Sequence, residues 1–229
     1  MKITSLLALA LTVGLATACS EDDTTQPALT AGVQVVHASP DAPNVDVLVD
    51  GAIVLTNVPY KAASGYLSVP AGTRNVKVRA TGTTTTVIDA DLPLSAGMTY
   101  TVMATGPVAS IQALVLTDDL SNPAAGNVKL RLVHAAPSAP TVDIYVTAPG
   151  ADISALAPTL AGVPFRGYSD YLEVPAGSYQ VRVTPAGTKT VALDTGTLAV
   201  AAGQIRTGVA LDATGGGAPF GAIVVADEN

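Results

Sequence analysis

The chain is short of the residues that most often build active sites. Its 229 residues include one Cys, two His, two Phe and no Trp. A lone Cys leaves no partner for a disulfide within the chain. Zinc sites need three or four ligands, mostly His or Cys, and two widely separated His do not supply them. Charged residues are 13% of the chain, and the formal charge of −7 disfavours non-specific nucleic-acid binding. No basic patch and no nucleic-acid motif offsets it. The mature part has no helical periodicity either. What is abundant is Val, Thr, Ala and Gly, in short alternating runs with turn residues between them, which reads as all-β.

The first 31 residues read as an export segment and tether. Lys2 supplies a positive start, and Ile3 to Leu15 is an apolar run too short to span a bilayer as a mature helix. It ends in Ala16-Thr17-Ala18-Cys19, followed by Ser20-Glu21-Asp22-Asp23. Small residues before a Cys after such a run resemble a bacterial lipobox, although Ala16 stands where Leu is usual. The resemblance implies acylation of Cys19 and cleavage before it, so that residues 1–18 are a lipoprotein signal peptide and 19–31 an acylated, flexible tether. More than one acyl chain holds a soluble domain on a membrane, whereas one alone is marginal. The expected address is extracytoplasmic and lipid-anchored to the cell envelope. Ser20 after the Cys resembles outer-membrane sorting if the cell is Gram-negative.

The rest of the chain is a repeat. Val33 to Asp50, VQVVHASPDAPNVDVLVD, returns as Leu130 to Val146, LRLVHAAPSAPTVDIYV. His37 answers His134 at an offset of 134 − 37 = 97, which Pro40 and Pro137, Pro43 and Pro140, and Asp46 and Asp143 also keep. Physically the motif is strand, rigid turn, strand. Val33, Val35 and His37 share one strand face, as do Leu130, Leu132 and His134. The two prolines then forbid continuation as helix or central strand. Alternation resumes with Val45, Val47 and Val49 expected inward and the aspartates outward.

Further blocks follow in the same order. Val58-Pro59-Tyr60 is answered by Val163-Pro164-Phe165, and Tyr66 to Gly72 by Tyr171 to Gly177. Here the offset is 171 − 66 = 105, so the second copy carries 105 − 97 = 8 extra residues, near 147–160. Each copy holds seven or eight short strands separated by turns, which suits a sandwich. At roughly 100 residues each, the copies are long enough to fold separately. The expectation is two tandem immunoglobulin-like antiparallel β-sandwich domains, 32–120 and 127–229, joined by a linker at 121–126.

The string VVHASPDAPxVDV, then VPY, YLxVPAG and VxVR, resembles the bacterial and archaeal family named domain of unknown function 4397. The resemblance covers residues 32 to 229, twice. It implies secreted or surface-attached proteins, often lipoproteins, with an immunoglobulin-like or similar sandwich and no established activity. No catalytic or binding residue carries over. The second copy has Ser138 where the first has Asp41, so nothing that needs Asp41 is common to both.

Residue by residue, the chemistry is sparse. His37 and His134 end a core-side strand before a proline turn, where an imidazole is expected to clamp the turn through one donor and one acceptor. Asp41, Asp46 and Asp50 form no calcium loop, and Asp89, Asp91, Asp118 and Asp119 are similarly scattered. There is no Gly-x-Ser-x-Gly elbow, and Ser68 becomes Glu173 in the second copy. Gly215 to Gly217 precedes no helix, which speaks against a phosphate loop. The binding-surface candidates are Tyr145 and Tyr168: Tyr145 has outward strand parity and no aromatic counterpart, since Leu48 stands in its place. The sequence thus points to a non-catalytic surface interaction, adhesion or scaffold module without cofactor or metal. Its partners would be the membrane, through the anchor, and an envelope protein or polysaccharide. A glycan-binding module or the binding subunit of an envelope complex is the alternative, and a hydrolase the third reading.

Overall fold

The computed structural model describes residues 29–228. Cys19, the export segment and most of the tether lie outside them. Sixteen strands follow one another, eight per repeat. The first repeat holds β1 (Thr30–Ala38), β2 (Val45–Val49), β3 (Ala52–Val58), β4 (Leu67–Pro70), β5 (Gly72–Ala80), β6 (Thr86–Leu94), β7 (Thr99–Thr105) and β8 (Gln112–Asp118). The second holds β9 (Asn127–His134), β10 (Val142–Thr147), β11 (Leu160–Val163), β12 (Leu172–Pro175), β13 (Gly177–Pro185), β14 (Leu193–Val200), β15 (Ile205–Leu211) and β16 (Gly221–Glu228).

Each repeat is a sandwich of two four-stranded sheets. In the first their orders are β4-β1-β7-β8 and β3-β2-β5-β6; in the second, β12-β9-β15-β16 and β11-β10-β13-β14. The pairing is antiparallel except for β1 with β7 and β9 with β15, which run parallel. The proline turn causes the change of sheet. After Ala38 the chain cannot hairpin back onto β1, so it crosses and lays β2 in the facing sheet. The first interior gathers Val33, Val35, Val47, Val76, Leu92 and Val102. The second gathers Leu132, Val142, Ile144, Val163, Val183 and Leu193.

The sandwiches are not separate bodies on a string. Val36, Ala38, Met103 and Leu116 of the first pack in one buried cluster with Val133, Ala135, Val209, Leu211 and Val225 of the second. The sheets carrying β1 and β9 are therefore covered on both faces. β1 and β9 also run in the same direction. Near their starts Gln34 Nε2 donates to Ala226 O at 3.1 Å, and beyond their ends Gly215 N donates to Pro40 O at 2.8 Å.

Candidate functional site

The repeated motif builds the same small structure twice. Nε2 of His37 lies 3.1 Å from Pro43 O, and the Ser39 N–H donates to Nδ1 at 3.3 Å. Nε2 of His134 lies 3.1 Å from Pro140 O, and the Ala136 N–H donates to Nδ1 at 3.4 Å. With Nε2 as donor and Nδ1 as acceptor, one neutral tautomer satisfies both bonds. Burial is the main influence on each ring and holds its pKa below the ordinary value, opposed by the proline-carbonyl bond. The aromatic of the next block stands edge-on to each imidazole: Tyr60 at 5.9 Å and Phe165 at 6.2 Å between ring centres.

The motif aspartates hold backbone. Asp46 Oδ1 accepts from the Asn57 N–H at 2.8 Å and from Thr81 Oγ1 at 2.9 Å. Those bonds keep its carboxyl below the usual range. Asp143 accepts from the N–H groups of Gly162 and Gly187, both at 2.8 Å. Asn57 and Gly162 occupy equivalent places, and both have left-handed backbone with φ of 54° and 64°. Each aspartate thus secures an irregular residue that shifts the register of the adjoining hairpin. Pro40, Pro43, Pro137 and Pro140 supply the rigid turn itself.

The two tyrosines singled out from the sequence part company. Tyr168 is 53% exposed. Tyr145, placed outward by strand parity, is 1% exposed. Its counterpart Leu48 is buried as well, at 3%; over Tyr145 the Leu156 carbonyl of the 147–160 loop holds Lys189 Nζ, which lies 4.6 Å from the ring centre and 3.0 Å from the hydroxyl. The outward parity is thus buried at this place in both copies, and in the second Asp143 is buried with it.

Two features were not anticipated. One is a polar cluster buried between the sandwiches. Asp118 Oδ2 accepts from Tyr66 at 2.6 Å and Thr101 at 2.8 Å. Asp227 Oδ2 accepts from Tyr171 at 3.0 Å and Thr207 at 2.6 Å. Arg131 crosses the interface, 2.7 Å from Asp118 and 4.0 Å from Asp227. Burial pushes the Asp227 carboxyl up, and both tyrosine hydroxyls are pushed above their usual range by burial and the carboxylates. Arg131 occupies the place of Gln34 in the first repeat. Cations also lash the rim: Arg166 donates from Nε to Thr105 Oγ1 at 2.9 Å and from Nη1 to Gln112 Oε1 at 2.8 Å. These groups bond one another across the interface.

The other feature is a cavity inside the second sandwich, about 270 Å³ against about 30 Å³ at the equivalent place in the first. Its walls are almost wholly apolar. Two sequence differences open it. β7 places Val102 beside Val35, whereas β15 places Gly208 beside Leu132. β14 also bulges where the equivalent stretch of β6 does not: Gln180 pairs with Thr197 but Arg182 with Asp194, so Thr195 and Gly196 together oppose Val181. Such a bulge bends its strand, and Thr195 Oγ1 takes the Val181 N–H at 3.0 Å. Hollows in a core are costly, roughly 24 cal/mol per Å³. Among the described residues no group of three or more His, Cys, Asp or Glu could hold a metal ion.

Comparison with known proteins gives a family whose function is unknown. No curated protein matches the sequence. Among solved structures, the TIE protein of Bacillus anthracis aligns at 12% identity and a TM-score of 0.28, over 81% of this chain and 34% of that one. The chain thus spans about a third of that protein's length. A family 26 carbohydrate-binding module of Amy13K from Eubacterium rectale, solved with maltoheptaose, aligns at 10% identity and a TM-score of 0.27, over 86% of this chain and 98% of that one. The family described as "Domain of unknown function (DUF4397)" matches residues 31–145 and 146–229, a division falling inside β10 rather than between the sandwiches. The chain belongs to that family, and carries two tandem copies of its domain.

Proposed function

We propose that the protein is a lipid-anchored, extracytoplasmic binding module without catalytic activity, a pair of sandwiches held off a membrane by Cys19 and its tether. One observation carries the reading. In both copies the motif's reactive side chains are already committed to the fold: each histidine to its own turn, and each aspartate to backbone or hydroxyl donors of its own sandwich. A general base needs reach to a substrate proton, and each of these groups is already bonded within its own sandwich. Exposed Tyr168 is the aromatic best placed to touch a partner.

The test has two arms. Mass spectrometry of the mature N-terminal peptide should show lipid-scale added mass on Cys19, and an unmodified thiol refutes the anchor. Pull-down from envelope extracts and a glycan array should return a protein or polysaccharide partner whose capture weakens with Tyr168→Ala. Hydrolysis of an envelope substrate, lost with His37→Ala or His134→Ala while the fold persists, overturns the non-catalytic reading.

A further inference from the structure

Repeats that share a motif, a strand order and a core pattern differ inside: the second sandwich has a hollow interior where the first is filled. We propose that this cavity binds a single medium-length fatty acyl chain, presented as a free fatty acid. The inference deepens the binding-module reading, and rests on its anchor only for the statement that the ligand comes from the membrane side.

The walls decide the chemistry. Leu132, Ile144, Val183, Leu193 and Leu198 line the space, so the occupant's body is hydrocarbon. Shape decides the kind of hydrocarbon. Facing sheets stand about 10 Å apart, which leaves a thin slot that an extended chain can follow. Size decides the length. A cavity of ~150 Å³ holds the six carbons of benzene, so about 270 Å³ takes, in proportion, about ten or eleven carbons.

The rim decides the head group. Gln204 and Arg206 lie at the start of β15, at one end of the slot. Gln204 uses Oε1 to accept the Ala201 N–H at 3.0 Å, which leaves its amide NH2 as the donating group. Arg206 stands where the first sandwich has Tyr100, and its Nη1 bonds the Ile205 carbonyl at 3.1 Å. A carboxyl head group there meets the Gln204 amide donor, with its chain directed along β15 toward Ala210. This is also the end where β1 begins, the end nearest the tether.

The test uses the full chain in phosphatidylcholine nanodiscs, irradiated with decanoic acid bearing a mid-chain diazirine. Peptide mapping should place the label on β13, β14 and β15, not on β5, β6 and β7. Excess decanoic acid should remove it, and butanoic acid should not. Leu132→Val with Gly208→Val transplants the first sandwich's pair and should lower labelling about tenfold. A Cβ at Gly208 meets Leu132 Cδ2 at 3.2 Å, hence the paired change. If that variant melts early, the competition series on the unaltered chain decides alone. Label spread over both sandwiches, or indifferent to excess decanoic acid, overturns the proposal. A Cys19→Ala chain separates the two readings. Labelling that persists there, with no lipid on Cys19 in the unaltered chain, removes the anchor and keeps the site. Labelling that appears only there makes the anchor's own acyl chain the occupant, and overturns the free fatty acid.

Discussion

Arg131 of the second sandwich meets Asp118 of the first at 2.7 Å, with side chains 2% and 0% exposed. A fully desolvated ion pair is costly to break because the surviving charge is left without compensation. Arg131→Ala should therefore destabilise the chain by about 3–5 kcal/mol. Arg131→Met combined with Asp118→Asn should recover much of that loss, since the introduced amide oxygen would still accept from Tyr66 and Thr101. Urea unfolding of the single and double variants measures the coupling. A loss under about 1 kcal/mol for Arg131→Ala would mean water reaches the pair.

The same interface bears on whether one repeat can stand alone. Residues 29–120 contain a complete sandwich, but they end with Val36, Ala38, Met103 and Leu116 laid bare. Apolar faces of this kind drive association. The isolated first repeat should self-associate through that face, and should melt below the full chain. Sedimentation and thermal unfolding check this. A monodisperse monomer with the full chain's melting temperature would show that the shared cluster contributes nothing.

How much of this was legible depends on the length scale of the signal. Strand–turn–strand periodicity, the proline turn and the repeat are local, and they led to two β-sandwiches. The histidine bonds were legible for the same reason, because the partners lie only six and two residues away. Parity puts Tyr145 on the outward face but does not say what lies over that face, and both Tyr145 and its counterpart Leu48 are buried there. The joined sandwiches have their own signal: VQVVHA and LRLVHA are apolar on both parities except at Gln34, His37, Arg131 and His134. Strands with two apolar faces are covered twice. The cavity needed the comparison of Val102 with Gly208, two positions matched only once the parallel pairing is known.

The histidines make the sharpest statement about pH. Each is buried, 0% and 1% exposed, and each keeps two hydrogen bonds as a neutral ring. Removing a buried partner of this kind costs ~1–3 kcal/mol, which sets the expected loss for His37→Ala and for His134→Ala. Both folded-state pKa values lie below the ordinary 6.5, with burial as the main cause. The unfolded chain therefore binds these protons first. Their contribution is fully present above pH 6.5 and is lost as the pH falls from there through the folded-state values. Asp227 carries the opposite sign: its pKa is raised above 3.8, so its contribution is present at low pH and fades as the pH rises through the folded value. A falling melting temperature below pH 6.5 is thus assigned to the imidazoles only by comparison. The double variant His37→Ala with His134→Ala should start lower and lose most of the slope just below pH 6.5. An unchanged slope in that variant would move the titration to other groups and leave the rings as packing alone.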